Sequence, residues 1–251
     1  MRMNRWTLAA TAAFLGLFST LSATADDHAG NSLSWAVTPY LWAPNTTIDL
    51  TLGDNNIGGE VSFSDILDTI DAGFMGHLEG GKGNWSAFAD LTYVDASDTT
   101  ERTLIRIASK NTQTFLDVAL AWHPGGIHES FSVFGGLRYT GAETRFDFVS
   151  VPNDTPLGSQ RSDADFYDAL LGLRYRFDLS ERWSLQTRGD VSFGDTEGTL
   201  LARASFAYTV GERRENRILF GYQYKQLEFR DSGVTTKIRL AGPTAGFSFR
   251  F

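Results

Sequence analysis

The sequence predicts an all-β fold, a closed antiparallel barrel of about ten strands, from three observations. Apolar and polar residues alternate with a period of two through most of the chain, as in strands with one apolar face. Short and longer connections between these segments alternate along the chain. Glycine is frequent, with 25 residues, and aromatic residues make up 13% of the chain, against only 6 prolines. This composition favours β-structure over disorder.

Ten segments carry the alternation. In the segment 85–93, for example, Trp85, Leu91 and Tyr93 fall on one face, whereas Ser86 and Asp90 fall on the other. Most of the segments have roughly the length that crosses a bilayer at a tilt, and an even number of them is typical of a closed up-and-down barrel. The segments are 33–52, 72–80, 85–93, 114–122, 131–139, 167–177, 183–193, 202–210, 218–224 and 235–251.

Alternation alone does not decide which face is inside, because a soluble lipocalin-like barrel also alternates, with its apolar face around a ligand. Aromatic pairs at both ends of the apolar stripe favour a membrane barrel with aromatic girdles. Trp85 with Tyr93, and Phe131 with Tyr139, are examples. One girdle is predicted beside the short turns and the N-terminal end, from Trp35, Trp85, Trp122 and Trp183. The polar face is also poor in lysine, of which the chain has Lys82, Lys110, Lys225 and Lys237.

The connections predict which side each end of a transmembrane barrel faces. Short connections at 80–84, 124–129, 178–182 and 211–216 predict periplasmic turns. The others, mostly longer, at 53–71, 96–111, 141–162, 195–199 and 231–234, predict extracellular loops.

The N-terminal segment 1–25 predicts a cleaved signal peptide. Arg2 and Arg5 precede an apolar stretch from Leu8 to Leu21, and Ala23-Thr24-Ala25 forms a small-x-small cleavage pattern. The stretch is short and interrupted by Thr and Ser, so removal is favoured over a retained membrane anchor. Residues 26–251 then form one barrel domain. It is acidic, because removal of a segment with two arginines and no acid leaves 22 - 2 = 20 basic against 30 acidic side chains.

Charge and cysteine content exclude several classes of function. The formal net charge of -8 argues against nucleic acid as a partner, since phosphate binding needs a basic surface. The absence of cysteine excludes a disulfide framework, a thiolate metal site and a cysteine nucleophile. No cluster of His, Asp and Glu has metal-ligand spacing, and no cofactor is expected.

Several motifs resemble those of bacterial outer-membrane β-barrels, and in particular of an uncharacterised porin-like set from Gram-negative bacteria. They are the alternating Phe247, Phe249 and Phe251, the Pro39–Ala43 segment, the repeated Gly-Leu-Arg-Tyr at 136–139 and 172–175, and the 242–246 segment. The resemblance implies outer-membrane location, contact with outer-membrane lipid and lipopolysaccharide, and an assembly signal at Phe247, Phe249 and Phe251 for the barrel-assembly machinery. It implies no reaction. Pro243 lacks an N–H for the ladder, so a bulge or irregularity is expected there, near the outer rim.

The polar face predicts a charge network that fills the lumen. A barrel of about ten strands is only slightly wider than the eight-stranded kind that side chains fill, so paired arginines and carboxylates would pass at most small polar solutes. The network serves either to satisfy buried charge or to select solutes. Its predicted members are Glu79, Asp90, Asp117, Arg138, Asp168, Arg174, Arg188, Asp190 and Arg203.

Two histidine motifs are weak enzymatic candidates. His77 with Glu79 on the lumen face is either catalytic or a buried polar pair. His128-Glu129-Ser130 has suggestive residue types but falls on a predicted periplasmic turn. The expected function is therefore a non-enzymatic structural or weakly conducting barrel. The alternatives are an outer-membrane enzyme with a site at the rim, or the soluble lipocalin-like barrel.

The segment 62–71 interrupts the β pattern and predicts a short amphipathic helix. Phe63, Ile66, Leu67 and Ile70 have helical spacing, and Ser64 is the expected N-cap. The helix is either a lid over the barrel mouth, a membrane-surface element, or a loop helix that only adds stability.

Overall fold

The computed structural model describes residues 33–53, 55–211, 215–231 and 233–251. The expected signal peptide lies outside the described residues. Twelve strands and one short helix, α1, are present in the part that is described: β1 (Ser34–Trp42), β2 (Asn45–Leu52), β3 (Asn55–Val61), α1 (Phe63–Leu67), β4 (Ile70–Lys82), β5 (Trp85–Glu101), β6 (Ile105–Trp122), β7 (Phe131–Ser150), β8 (Thr155–Asp178), β9 (Trp183–Gly194), β10 (Gly198–Val210), β11 (Asn216–Asp231) and β12 (Val234–Arg250). The described helix is too short to cross a membrane.

Ten of these strands form a closed antiparallel wall, as the sequence predicted. Strand β1 pairs with β4, each strand from β4 to β12 pairs with the next, and β12 pairs back onto β1. The turns after β4, β6, β8 and β10 lie at the same end as the start of β1 and the end of β12, which we call the turn end. The opposite end is the hairpin end. At the turn end, β4 and β5 are joined by Gly83-Asn84, where Gly83 takes a positive φ of 62°.

The first predicted strand is divided in two. β12 pairs with β1 through Thr244 and then with β2 from Ala241, and the chain between β1 and β2 contains Ala43 and Pro44. β2 turns back as β3 and forms a hairpin beyond the wall. The irregularity expected at Pro243 is therefore the break between β1 and β2, which lies opposite Pro243 and away from the rim. Strand β12, which contains Pro243, is continuous. The Ala43 N–H donates to the Pro243 carbonyl at 3.0 Å, so this break keeps one ladder contact.

The longer connections at the hairpin end are mostly strand rather than loop. β5 and β6 continue their pairing to Glu101 and Arg106, and β7 and β8 continue to Ser150 and Thr155. The predicted loops at 96–111 and 141–162 are thus long hairpins with tight turns. The prediction failed here because the alternation of apolar and polar residues marks a strand only where one face is apolar. Where both faces of a strand meet water, polar residues occur on both and the alternation is lost.

The N-cap of helix α1 lies two residues earlier than expected. Ser62, not Ser64, is the N-cap: its hydroxyl accepts from the Asp65 N–H at 3.3 Å, and the Asp65 carboxylate accepts from the Ser62 N–H at 3.3 Å. This reciprocal capping box satisfies two N–H groups that the helix itself leaves free. No residue of α1 is buried, and its role as a lid stays a prediction.

The apolar face of the wall points outward. Leu137, Tyr167 and Leu171 are each more than half exposed, whereas the lumen-facing Arg138 and Asp168 are 1% and 2% exposed. This polarity is opposite to that of a lipocalin-like barrel, so the soluble ligand-enclosing alternative is wrong. Trp85 lies opposite Trp122, and Trp183 lies opposite Tyr208, beside the turns, where one aromatic girdle was expected.

Candidate functional site

Five of the nine predicted side chains meet in the middle of the lumen. From here on the name charge network means these five: Asp90, Asp117, Arg138, Arg188 and Asp190. Arg138 donates to both oxygens of Asp117, at 2.7 and 2.8 Å, and to Asp190 at 2.7 Å. Arg188 donates to Asp190 and to Asp117, each at 2.6 Å. Two arginines and two aspartates therefore form a closed ring of charge-assisted hydrogen bonds. Asp90 lies 3.5 Å from Arg188 at its edge.

The charge network is sealed from water. The side chains of Arg138 and Asp190 are 0% exposed, and that of Arg188 is 3% exposed. The four residues of the ring come from β6, β7 and β9, which lie within four consecutive strands of the wall, and alternation turns all four side chains inward. At this level the lumen is filled by side chains, as expected for a barrel of this size.

A glycine of the repeated Gly-Leu-Arg-Tyr motif makes room for this packing. A Cβ atom at Gly172 would lie 2.3 Å from the Phe134 ring and 2.5 Å from the Asp190 Cβ, so a side chain does not fit. Phe134 packs edge-on against Phe88 at 5.2 Å between ring centroids, and the Arg188 guanidinium lies 5.1 Å from the Phe134 ring. Small lumen residues thus let aromatic rings lie under the arginines.

A second polar group lies nearer the turn end, around Glu79. Arg174 binds both Glu79 oxygens at 2.9 Å, and Ser86 donates to Glu79 at 2.6 Å. His77 connects this group to the charge network, because its Nε2 lies 3.3 Å from Glu79 and its Nδ1 lies 3.1 Å from Asp90. Tyr40, which lies in the Pro39–Ala43 motif but had no predicted role in the lumen, also donates to Asp90 at 2.6 Å.

Two of the predicted members stand apart from these groups. Asp168 has no arginine partner in the described structure, although Arg138 is its neighbour across the strands. Its carboxylate instead accepts from Ser192 at 2.9 Å and from the Thr196 N–H and hydroxyl at 3.0 and 2.6 Å, which ties down the turn after β9. Arg203 lies 3.7 Å from Asp90, at the edge of the charge network. The other seven predicted residues form two contacting groups, the charge network and the pair of Glu79 with Arg174, which His77 bridges.

On the hairpin side of the charge network the lumen becomes apolar. Trp42, Leu227 and Leu240 form a buried cluster, with Phe115 and Met75 packed against it. Buried Lys225 lies between the two regions, with its Nζ 3.7 Å from the centre of the Phe115 ring. A cavity of only about 20 Å³ remains there, room for about one water. Sequence reasoning missed this cluster, although Trp42, Leu227 and Leu240 break the polar lumen face.

On the turn side a larger cavity of about 500 Å³ opens, and we call it the vestibule. Its wall includes His77, Glu79, Ser86, His123 and Arg174, and it reaches the 127–130 turn and the end of β12. Six arginines and three side-chain carboxylates line it: Arg174, Arg176, Arg188, Arg203, Arg217 and Arg250, with Glu79, Glu129 and Glu215. Arg217 and Arg250 carry no candidate role in the sequence reading, since nothing in their spacing marks a site.

The vestibule contains a serine and a histidine in contact, but they do not form a nucleophilic pair. Ser86 Oγ lies 3.0 Å from His123 Nε2, yet its single proton is donated to Glu79. His123 Nδ1 has no hydrogen-bond partner among the described residues, so no third group orients the ring. Burial, and then the nearby Arg174 charge, lower the pKa of His123. A neutral ring that receives no serine proton is not positioned as a general base.

The contacts that the structure describes at the other enzymatic candidates are a hydrogen bond to the backbone and ion pairs. The His128 carbonyl accepts from Arg176 at 2.8 Å in the 127–130 turn, on the turn side as expected. At the hairpin end, carboxylates pair with basic groups: Asp95 with Lys110 at 2.9 Å, and Glu143 with Arg161 at 3.1 Å. No histidine lies at that end among the described residues, nor does any described group of His, Asp and Glu have the arrangement of a metal site.

The fold and its lumen define a class, a ten-stranded transmembrane-type β-barrel with an apolar exterior and a plugged polar interior. No protein-family model matches the chain, and no curated protein matches it. Solved structures similar to it include the outer membrane protease OmpT from Escherichia coli, at 9% identity and TM-score 0.48, covering 91% of this chain and 100% of that one. The outer membrane protein OprG from Pseudomonas aeruginosa, at 13% identity and TM-score 0.33, covers 90% and 99%.

A third similar structure is Ail, the attachment invasion locus protein of Yersinia pestis, solved with the heparin analogue sucrose octasulfate. It is 11% identical, with TM-score 0.37, and the match covers 88% of this chain and 99% of that one. All three are bacterial outer-membrane barrels, the class that the sequence motifs resemble. At such identities and TM-scores the likeness supports no transfer of activity or ligand.

Proposed function

We propose that this chain is a non-enzymatic barrel of the bacterial outer membrane, closed in its resting state by its own side chains. It serves as a rigid wall element with at most weak conductance for small polar solutes. The outward apolar face and the aromatic residues at its ends support insertion in a bilayer. With the short turns on the periplasmic side, the long hairpins of β5–β6 and β7–β8 reach outside the cell.

The observation that carries this proposal is the sealed charge network. A conducting pore needs a continuous water-filled path, whereas Asp117, Arg138 and Asp190 are at most 5% exposed. The apolar cluster around Trp42 adds a second barrier on the hairpin side. Opening the lumen would mean breaking the ring of Arg138 and Arg188 with two aspartates, which leaves buried charges unpaired.

Planar-bilayer recording of the refolded protein tests the proposal. We expect wild-type conductance far below that of the double variant Asp117→Ala/Arg138→Ala, which removes two lumen side chains without changing net charge. The matched control is Arg145→Ala/Asp147→Ala, an ion pair of 2.9 Å that is exposed on β7 near the hairpin end. Both variants are first checked for the mobility shift of a folded barrel on unboiled gels. A wild-type conductance equal to that of the lumen variant would show that the network does not close the barrel.

A further inference from the structure

The vestibule holds more positive than negative charge. Of its six arginines, Arg174 is matched by Glu79, Arg176 pairs with Asp178 at 3.0 Å, and Arg188 belongs to the charge network. Glu79 is already fully used, because it accepts from Arg174, Ser86 and His77. The remaining carboxylates, Glu129 and Glu215, lie on exposed turns.

Three arginines of the vestibule are left without a carboxylate at hydrogen-bond distance among the described residues. Arg203 lies 3.7 Å from Asp90, and neither Arg217 nor Arg250 has a carboxylate partner there. Arg217 is also repelled by its charged neighbours Arg250 and Arg176, and the attraction of Asp178 offsets this only in part. Its Nε is sealed from water and lacks an acceptor in the described structure. Like charges gathered in a partly enclosed space are unfavourable unless an anion offsets them.

The vestibule has the chemistry and size of a small-molecule site. Guanidinium groups present forked N–H donors that match the oxygens of phosphate and carboxylate groups. Gln186, Ser205, Thr244 and Ser248 add neutral polar groups to the wall. A volume of about 500 Å³ exceeds that of a bare phosphate ion and falls within the range of ligand pockets.

We infer that the vestibule binds a small oxyanion, a polar molecule carrying a phosphate or carboxylate group, that enters from the turn end. Arg217 and Arg250 are the principal anion contacts, and Arg203 lies deeper, toward the charge network. Because that network closes the far side, the anion binds in the vestibule without passing through the barrel.

Isothermal titration of the refolded barrel in zwitterionic nanodiscs tests this inference. Glycerol 3-phosphate and succinate are the two anionic probes, and glycerol is the uncharged comparison. We expect at least one anion to bind and glycerol not to bind, and the stronger anion identifies the phosphate or carboxylate source. The double variant Arg217→Gln/Arg250→Gln should weaken binding about tenfold or more, since it removes two cations whose charge-assisted hydrogen bonds are stronger than those of a neutral amide.

The matched control is Arg145→Gln/Arg161→Gln, which makes the same change in net charge on exposed strands near the hairpin end. It should leave the affinity unchanged. Arg250→Gln alone, at an exposed strand end, provides a second test if the double variant does not fold. Equal affinity in the vestibule and control variants, or no binding of either anion at tens of millimolar, would overturn the inference. The result is independent of conductance, so it succeeds or fails separately from the proposed function.

Discussion

Arg138 is the side chain on which the charge network depends most, because it holds Asp117 and Asp190 together from a fully buried position. Replacing it with methionine keeps most of its volume but leaves two buried aspartates with Arg188 alone. Removing one partner of a buried ion pair typically costs about 3–5 kcal/mol. We expect Arg138→Met to lower the urea midpoint of unfolding in micelles markedly. Arg145→Met, which removes an exposed partner of Asp147, should leave the midpoint nearly unchanged.

Equal midpoints for the two variants would mean that the buried ring adds no stability. A triple replacement of Asp117, Arg138 and Arg188 by apolar residues separates pairing from packing. If charge satisfaction is the main role, this variant should recover much of the stability lost in Arg138→Met.

The sequence could identify which residues face the lumen, but not which of them pair. Alternation alone placed Asp117, Arg138 and Asp190 on one face, and the narrow lumen of a small barrel predicted contact among such side chains. Pairing also depends on the stagger between strands, which period-two patterning does not encode. Asp168 illustrates this, because it shares the lumen face with Arg138 yet binds Thr196 in a neighbouring turn.

Helix α1 depends on a cap that the sequence contained but that the apolar spacing obscured. Ser62 and Asp65 are three residues apart, the spacing of a capping box. We expect Ser62→Ala to destabilise the helix by about 1 kcal/mol, so that the Ile66 amide exchanges several-fold faster with deuterium. Ser64→Ala is the control, since the Ser64 hydroxyl contacts the Ser62 hydroxyl at 2.8 Å but is not the N-cap of the helix. A larger effect from Ser64→Ala would contradict the assigned N-cap.

Strand lengths were predictable only where one face meets lipid. Between the girdles, lipid outside and charge inside impose strict alternation, and strands such as β9 follow the predicted range closely. Beyond that band both faces meet water, and ion pairs such as Arg145 with Asp147 and Arg161 with Asp163 lie along the same strand. The hydrogen-bonded ladder continues there without an apolar signal, so the hairpins of β5–β6 and β7–β8 were hidden.

The whole barrel is closed by one seam, between β1 and β12. Phe251 extends it: its N–H donates to the Trp35 carbonyl at 3.1 Å, and its carbonyl accepts from the Trp35 N–H at 2.8 Å. The Phe251 ring is largely exposed on the outside of the barrel. Phe251 therefore combines a backbone contact that lengthens the seam with an aromatic ring of the kind implied as an assembly signal.

Two variants separate these roles in cells. Deleting Phe251 removes both the ring and the backbone contact, whereas Phe251→Ala keeps the backbone contact and removes the ring. If the ring is the assembly signal, both variants should lower the heat-modifiable protein recovered in the outer-membrane fraction, with export to the periplasm intact. If the seam alone matters, only the deletion should do so. Wild-type protein found soluble in the periplasm would refute the proposed location, and full assembly of both variants would remove Phe251 from the assembly signal.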